Sequence, residues 1–201
     1  MKIEAAIFDI GNVLVRFDWI PAEREIRLRT RRSTEKARSE MVELKERFEL
    51  GQLSERDFLE NAVRILDFRG GTDELAAIWN SIFSENEAME KSIAQLKRSM
   101  PLYLLSNTSE LHLSYLEKRF RVLEHFTDGV YSFRAGCAKP FPQIFDVAER
   151  QFGVNRSTTI FVDDLSQNVD SAAGYGFQAI RYDWNAHSEF QETLVKFGLF
   201  R

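Results

Sequence analysis

The sequence predicts an α/β protein with a doubly wound parallel sheet and a helical cap inserted after the first strand. Four short apolar runs are continuous rather than alternating, which is typical of strands covered on both faces. Helical patterns separate these runs, and alternating strands and helices form βαβ units. One long stretch, residues 17–85, breaks the alternation because it carries helical patterns only. These three observations predict the sheet, its covering helices and the cap.

The predicted strands are short and have helices between them. The four apolar runs and a fifth, weaker candidate cover residues 5–8, 102–105, 159–162, 179–182 and, for the weaker one, 129–132. Before the second of these runs, Met89, Ile93 and Leu96 fall on one face of a predicted helix. Another helix is predicted to start just after Pro142 and to end at Gly153.

The stretch of residues 17–85 divides into several predicted helices. Apolar residues recur at helical spacing up to Gly51, which ends one helix. Ser54, followed three residues later by Asp57, resembles a capping box in which Asp replaces the usual Glu. Thr72, which follows two glycines, is expected to cap a further helix. This stretch is therefore expected to be helical throughout.

The length of the chain limits the number of domains. A chain of 201 residues suits one core domain that carries a small insertion. Hydrophobic residues make up 44% of the chain and charged residues 29%, which excludes a disordered chain. We predict a core of residues 1–16 and 86–201 and a cap of residues 17–85.

Charge and composition exclude several classes of partner. The formal net charge of −4 argues against nucleic acid, because binding a phosphate backbone needs a basic face. No apolar run approaches the roughly 18–20 residues that a membrane span needs. The first residues do not resemble a signal peptide, since Asp9 interrupts their apolar run. A single cysteine, Cys137, is typical of a reducing compartment, so we expect a cytoplasmic protein.

Polar residues follow three of the predicted strands. The first strand leads to Asp9, the second to Ser106 and Asn107, and the third to Asp163 and Asp164. Ligands of open α/β sheets bind at the carboxyl ends of the strands. We therefore expect these side chains to converge on one site.

Four motifs occur in order along the chain. Asp9 opens the segment DIGNV, Ser106 follows the second strand, Lys139 lies in the segment GCAKP, and Asp163 and Asp164 form an acidic pair. In this order and on strand ends, the motifs resemble those of the haloacid dehalogenase-like hydrolase superfamily, most of whose members are phosphatases. The long separation of the first two motifs leaves room for the helical cap of one subclass. The resemblance implies a Rossmann-like core.

The resemblance also implies the roles of the site residues. Asp9 would be the catalytic nucleophile, and a carboxylate of this kind can form an aspartyl-phosphate that splits hydrolysis into two easier steps. Lys139 would assist catalysis by screening the repulsion between Asp9 and an anionic phosphate. Ser106, Asn107 and Lys139 would bind the phosphoryl oxygens of the substrate.

A Mg²⁺ ion is the cofactor that these residues predict. Mg²⁺ takes oxygen ligands, typically one or two carboxylates together with water and substrate phosphate. Asp9 and Asp164 could supply two ligands, and Asp163 could act directly or through water. The backbone carbonyl of Gly11 would be a further ligand by resemblance.

The segment Gly11-Asn12-Val13 indicates the branch of the superfamily. It is similar to the first motif of small bacterial sugar-phosphate phosphatases, including ones that act on glucose 1-phosphate. The resemblance implies a small phosphorylated metabolite as the substrate.

Gly11 departs from the pattern of the family phosphatases. Those enzymes carry a second Asp here, which protonates the leaving oxygen and then activates water. A general acid or base typically contributes about 10²–10⁴-fold in rate, so the difference matters. The leaving group could need little help, water could serve, or another residue such as Asp18 could replace the acid.

Two alternatives to a phosphatase remain open from the sequence. A metal-free 2-haloacid dehalogenase of the same superfamily needs no leaving-group acid, but such enzymes lack the acidic pair. Asp163 and Asp164 would repel Asp9 without a cation, which favours the Mg²⁺ phosphatase. The other alternative is a non-catalytic homologue that binds a phosphorylated ligand or a protein, for which Gly11 is the only support.

Two further features are interpreted as structural. The basic stretch of residues 24–38 is expected to be a solvated face of the cap. His112, His125 and His187 are too dispersed along the chain to predict a metal site.

Overall fold

The computed structural model describes residues 2–32 and 34–200. Within these ranges the chain forms a five-stranded sheet and a two-stranded sheet. In chain order the strands are β1 (Ala5–Phe8), β2 (Val15–Phe17), β3 (Phe83–Glu85), β4 (Leu102–Ser106), β5 (Asp128–Tyr131), β6 (Thr159–Asp163) and β7 (Gln178–Arg181). All five predicted strands of the large sheet are therefore present, with bounds that differ by one residue at most from the predicted ones.

The large sheet is parallel throughout and has the order β5-β4-β1-β6-β7. Ile7 of β1 pairs with Tyr103 of β4 on one side and with Phe161 of β6 on the other. The chain winds outward through β4 and β5 and then crosses over to β6 and β7. The reversal of winding falls beside β1, which is where doubly wound sheets bind ligands.

Helices cover both faces of this sheet. In chain order the helices are α1 (Trp19–Arg29), α2 (Glu35–Glu49), α3 (Glu55–Leu66), α4 (Thr72–Asn80), α5 (Glu87–Leu96), α6 (Glu110–Arg119), α7 (Ser132–Ala135), α8 (Pro142–Phe152), α9 (Ser166–Tyr175) and α10 (His187–Lys196). Phe8 packs in one apolar cluster with residues of α5, α6 and α10, and Ile7 packs in another with residues of α8 and α9. Successive side chains of β1 thus point to opposite faces, which confirms the predicted double winding.

The signals at Gly51, Ser54 and Gly153 predict helix ends correctly, and the signal at Thr72 does not. Ser54 caps α3, since its Oγ accepts a hydrogen bond from the backbone N–H of Asp57 at 3.1 Å. Gly153 follows α8 with a φ of 63°, a left-handed conformation that favours glycine. The predicted cap at Thr72 is wrong: Gly71 occupies the cap position, and its N–H donates to the Glu74 carboxylate at 3.0 Å.

Helices α1 to α4 pack around an apolar cluster of their own. Its centre is aromatic, with the Phe48 and Phe58 rings stacked at 4.3 Å and Trp79 edge-on to Phe58 at 5.1 Å. Strands β2 and β3 flank these helices in the sequence and pair antiparallel, with Phe17 opposite Phe83. The prediction of helix throughout 17–85 is therefore wrong at both ends, and the predicted boundary between residues 16 and 17 falls inside β2.

The described residues contain no helix that combines the length and the apolar character needed to cross a membrane.

Candidate active site

The carboxyl ends of the three central strands bring the predicted site residues together. Asp9 follows β1, Ser106 ends β4 and Asp163 ends β6. The backbone N–H of Asp9 donates to the carbonyl of Val162 at 2.9 Å, which keeps β1 and β6 in register up to the site. A cleft of about 340 Å³ opens here, lined on the core side by Asp9, Gly11, Ser106, Asn107, Lys139 and Asp164.

Lys139 is buried between two carboxylates. Its Nζ donates to Asp163 Oδ2 at 2.6 Å and lies 2.9 Å from Asp9 Oδ1. Burial opposes the charge of Lys139, but the carboxylates of Asp9 and Asp163 outweigh it and raise the pKa of the ammonium group. Lys139 is therefore a fixed positive charge in contact with the predicted nucleophile.

The electrostatics at Asp9 favour a further positive charge. Burial raises the pKa of the Asp9 carboxyl from 3.8 to about 6, and the attraction of Lys139 only partly offsets this. The Oδ1 atom of Asp9 is buried, and its close partner among the described residues is the ammonium group of Lys139 at 2.9 Å. Burial of a carboxylate is costly, and a bound cation would offset the part of this cost that Lys139 leaves.

Asp164 is held by the residue that follows Gly11. Asn12 donates from Nδ2 to Asp164 Oδ2 at 3.2 Å, and its Oδ1 accepts from the backbone N–H of Phe17 at 3.2 Å. The backbone of Asn12 is left-handed with a φ of 53°, a conformation that Asn adopts more readily than most residues. Burial raises the pKa of Asp164, and the hydrogen bond from Asn12 opposes this shift.

Asp163 accepts more hydrogen bonds than the other two acids of the site. Its Oδ2 accepts from Lys139, and its Oδ1 accepts from the backbone N–H of Leu165 at 2.9 Å. The Nδ2 of Asn168 lies within 3.1 Å of both oxygens. In this arrangement Asp163 orients Lys139, a contribution that the sequence analysis did not anticipate.

The three carboxylates fit a Mg²⁺ ion. One oxygen of each of Asp9, Asp163 and Asp164 lies within 4.8 Å of the other two. Burial raises the pKa values of Asp9 and Asp164 although Lys139 lies 2.9 Å from Asp9 Oδ1, so a further cation here would be stabilising. Oxygen donors in this number are the ligands that Mg²⁺ prefers.

Asn107 has a different contact from the one predicted for its side chain. Its Nδ2 donates to the backbone carbonyl of Lys139, and its Oδ1 accepts from the backbone N–H of Lys139, each at 2.9 Å. Both ends of the amide are thus used to fix the loop that carries Lys139. Ser106 is buried beside Asp9 and lowers its pKa through a hydrogen bond.

The space next to Gly11 is filled by an aromatic ring. A Cβ on residue 11 would lie 3.1 Å from Cδ1 and Cε1 of Phe17, so a larger side chain requires Phe17 to move. The φ of Gly11 is outside the left-handed region, so the obstacle to substitution is this ring and not the backbone. Asp18 does not replace the missing acid, because it is exposed and its Oδ1 caps α1 by accepting from Ile20 at 2.9 Å.

The far wall of the cleft contains functional candidates that lie outside the four motifs. Trp19, Lys45, Glu49 and His112 line it, and Lys45 Nζ forms an ion pair with Glu49 Oε1 at 2.7 Å. His112, for which the sequence predicts no metal site, thus lies in the wall of the cleft. The sequence contains one signal that His112 lies near the site: the residue follows the second motif closely, in the loop and helix that come after it.

The basic stretch of the cap is the solvated face that the sequence predicts. Arg27 pairs with Glu23 at 2.8 Å and Arg29 with Glu25 at 2.7 Å, all on the exposed surface. Exposed pairs of this kind contribute about 1 kcal/mol or less to stability. Lys45, outside this stretch, is the cap cation that lines the cleft.

The burial of His112 predicts a stability that is sensitive to acid. Burial, with help from the charge of Lys45, lowers the pKa of His112 from 6.5 to about 3. Between these values the unfolded chain binds a proton that the folded protein does not, so stability is lost as the pH falls below about 7. From pH 7 to pH 5, the unfolding free energy of the wild type should fall by about 2 kcal/mol more than that of His112→Phe.

Urea titrations of both proteins at the two pH values measure this difference. The carboxylates are common to both proteins, so their titration cancels in the comparison. Equal losses of stability would show that His112 is protonated in the folded protein.

The sequence profile of the haloacid dehalogenase-like hydrolase family matches residues 3–176, so the chain belongs to this family. The chain is 28% identical to D-ribitol-5-phosphate phosphatase of Bacteroides thetaiotaomicron, with 96% of this chain and 98% of that protein aligned. It is 27% identical to a phosphatase of Mycobacterium tuberculosis, with 91% and 88% aligned.

A solved structure shares the fold. It is a haloacid dehalogenase family enzyme from Bacteroides thetaiotaomicron in complex with magnesium and inorganic phosphate. The TM-score is 0.82 at 22% sequence identity, and the match covers 90% of this chain and 94% of that one.

Proposed function

We propose that this protein is a Mg²⁺-dependent phosphatase that hydrolyses a small phosphate monoester through an aspartyl-phosphate on Asp9. The observation that carries the proposal is the buried Asp9 carboxylate, which lies 2.9 Å from the ammonium group of Lys139 and has an oxygen of each of two further acids within 4.8 Å. A buried carboxylate contributes little to the stability of the fold, but it is well suited to bind a cation and to attack phosphorus. The two phosphatases that are similar over nearly the whole chain support the same chemistry.

The reaction has two steps. In the first, a carboxylate oxygen of Asp9 attacks the phosphorus, the bond from phosphorus to the leaving oxygen breaks, and the leaving oxygen takes a proton from water. In the second, a water molecule attacks the phosphorus and loses a proton to solvent, the bond to Asp9 breaks, and phosphate leaves with Asp9 restored. Lys139, held in place by Asp163 and Asn107, reduces the repulsion between Asp9 and the phosphoryl oxygens in both steps.

The phosphoryl group and the metal ion would be held by the core. Ser106, Lys139 and the backbone at Asn107 would bind phosphoryl oxygens, since the Asn107 side chain is engaged elsewhere. Asp9, the carbonyl of Gly11, and Asp164, with Asp163 directly or through water, would hold Mg²⁺. When bound, Mg²⁺ neutralises charge on the phosphoryl oxygens.

The substrate class that we propose is a sugar or polyol phosphate in the cytoplasm. A cleft of about 340 Å³ admits a small metabolite, and its far wall combines the aromatic ring of Trp19 with the polar groups of Lys45 and Glu49. The resemblance of the first motif to sugar-phosphate phosphatases and the similarity to a ribitol 5-phosphate phosphatase support this class.

One observation favours a 2-haloacid dehalogenase as the second candidate. The ring of Phe17 fills the space beside Gly11, where dehalogenases of the superfamily usually carry an aromatic residue. Against it stands the acidic pair, because Asp163 and Asp164 add negative charge that a metal-free reaction does not need.

Metal removal tests the proposed function. We expect the wild type to hydrolyse p-nitrophenyl phosphate with Mg²⁺, to lose more than tenfold in rate in EDTA, and to recover when excess Mg²⁺ is added. Chloroacetate serves as the control substrate. Chloride release from chloroacetate in EDTA would identify a dehalogenase, and no activity with either substrate would identify a non-catalytic homologue.

A further inference from the structure

We propose that His112 determines specificity by accepting a hydrogen bond at Nε2 from a hydroxyl of the leaving group. This contact would select phosphate esters of polyhydroxylated molecules over esters of the same length without hydroxyls. The inference rests on the proposed phosphatase function and deepens it, because it assigns a recognition role to a residue outside the four motifs.

The hydrogen bond to Asn80 sets the tautomer of the imidazole. Nδ1 of His112 lies 3.0 Å from Oδ1 of Asn80, and both residues are buried. An amide oxygen only accepts hydrogen bonds, so the proton of the neutral ring is on Nδ1. Nε2 then carries a lone pair and acts as an acceptor.

Nε2 has no hydrogen-bond partner among the described residues. Within residues 2–32 and 34–200, the hydrogen bonds of the imidazole are limited to the one at Nδ1. In the same ranges, the fully enclosed polar side-chain atoms without a partner belong to Asp9 and Asn168 and not to His112. His112 lines the cleft, and the proposed contact places Nε2 on the cleft side of the ring. A nearly buried acceptor gains most from a ligand that donates a hydrogen bond.

The surroundings fix the ring and keep it neutral. Phe83 and Trp19 meet the imidazole edge-on, with centroids at 4.9 and 6.2 Å, and Trp79 stacks on it at 6.3 Å. The ammonium group of Lys45 opposes a positive charge on the ring. An acceptor held this rigidly recognises a donor with little loss of side-chain entropy.

His112 and the phosphoryl site belong to one segment of the chain. Ser106 ends β4, and Ser109 caps α6 by accepting from the backbone N–H of His112 at 3.3 Å. Ser106 and His112 both line the cleft, so a ligand held at Ser106 shares one cavity with the imidazole. The lowered pKa of His112 disfavours a role as the general acid, because the ring is then neutral at pH 7.

A pair of matched substrates tests the proposal. Ribitol 5-phosphate and n-pentyl phosphate have five carbons and a primary alkyl leaving group, and they differ in their hydroxyls. The ratio of kcat/KM for ribitol 5-phosphate to that for pentyl phosphate should fall at least tenfold in His112→Phe, which keeps a ring and removes the acceptor. His125→Phe is the control, because His125 lies outside the cleft, and its ratio should equal that of the wild type.

Each outcome supports or overturns the inference. An unchanged ratio, or an equal loss with both substrates, overturns it, and the equal loss indicates a structural role for His112. A wild type that hydrolyses p-nitrophenyl phosphate with Mg²⁺ but does not prefer ribitol 5-phosphate or glucose 1-phosphate to pentyl phosphate also overturns it. Failure of the proposed function looks different, because no Mg²⁺-dependent hydrolysis is then seen with any of the four esters.

A spectroscopic measurement avoids reliance on the folding of His112→Phe. The side-chain ¹⁵N spectrum of Asp9→Asn, which binds substrate without turnover, should show an unprotonated Nε2 for His112. Ribitol 5-phosphate should shift this signal, and pentyl phosphate should not. The chain has three histidines, so substituting His125 and His187 in turn assigns the signals. A protonated Nε2, or the same response to both ligands, overturns the proposal.

Discussion

Replacement of Asp9 by Asn is expected to lower kcat with p-nitrophenyl phosphate by at least about 10⁴-fold, as is typical when a catalytic nucleophile is lost. The amide keeps the shape of the side chain but cannot form an acyl-phosphate with phosphorus. The protein should remain folded, because Asp9 is buried and burial already disfavours its charge. Steady-state rates and circular dichroism of the purified variant measure the two expectations.

The control variant replaces an Asp that lies outside the site. Asp170 on α9 is exposed and does not line the cleft, so Asp170→Asn should keep the wild-type rate. Activity of Asp9→Asn within tenfold of the wild type, after repeated purification, would remove Asp9 from the role of nucleophile. Loss of the folded structure would instead assign Asp9 a structural role beside Lys139.

The core of the site could be predicted from sequence because its signals are local. A buried parallel strand is recognised as a continuous apolar run in the sequence. The polar residue that follows this run must then lie at the carboxyl end of the strand. Asp9, Ser106 and Asp163 each follow this rule, so their convergence could be inferred before their distances were known. The Lys139 loop could be placed by resemblance, but its contact with Asp163 could not.

The remaining parts of the site depend on contacts between distant segments. β2 and β3 are three residues each and pair across the whole cap, so neither carries a pattern of its own. Phe17 fills the space at Gly11 only because this pairing forms. His112 gains its role from Asn80, on a different helix, and spacing along the chain does not reveal such a pair.

The vacant acid position at Gly11 predicts a steep dependence of the rate on the leaving group. p-Nitrophenolate leaves without a proton, whereas an alkoxide does not, and a missing general acid costs about 10²–10⁴-fold. We expect kcat for p-nitrophenyl phosphate to exceed that for pentyl phosphate by about 10³-fold, with glucose 1-phosphate between them. Wild-type kcat across a series of aryl and alkyl phosphates measures the slope.

A flat dependence would contradict this expectation and would show that an acid acts elsewhere or that chemistry is not rate-limiting. In-line attack places the leaving oxygen opposite Asp9, and Glu49 is an acid of the cap that lines the same cleft. Glu49→Gln then decides between the two explanations, because loss of the acid makes the dependence steep and a non-limiting chemical step leaves it flat.

If the dependence is steep from the start, Gly11→Asp combined with Phe17→Ala restores a carboxylate and clears the ring that lies 3.1 Å from its Cβ. That double variant should gain most with pentyl phosphate, whose leaving group needs the proton most, and Phe17→Ala alone is its matched control.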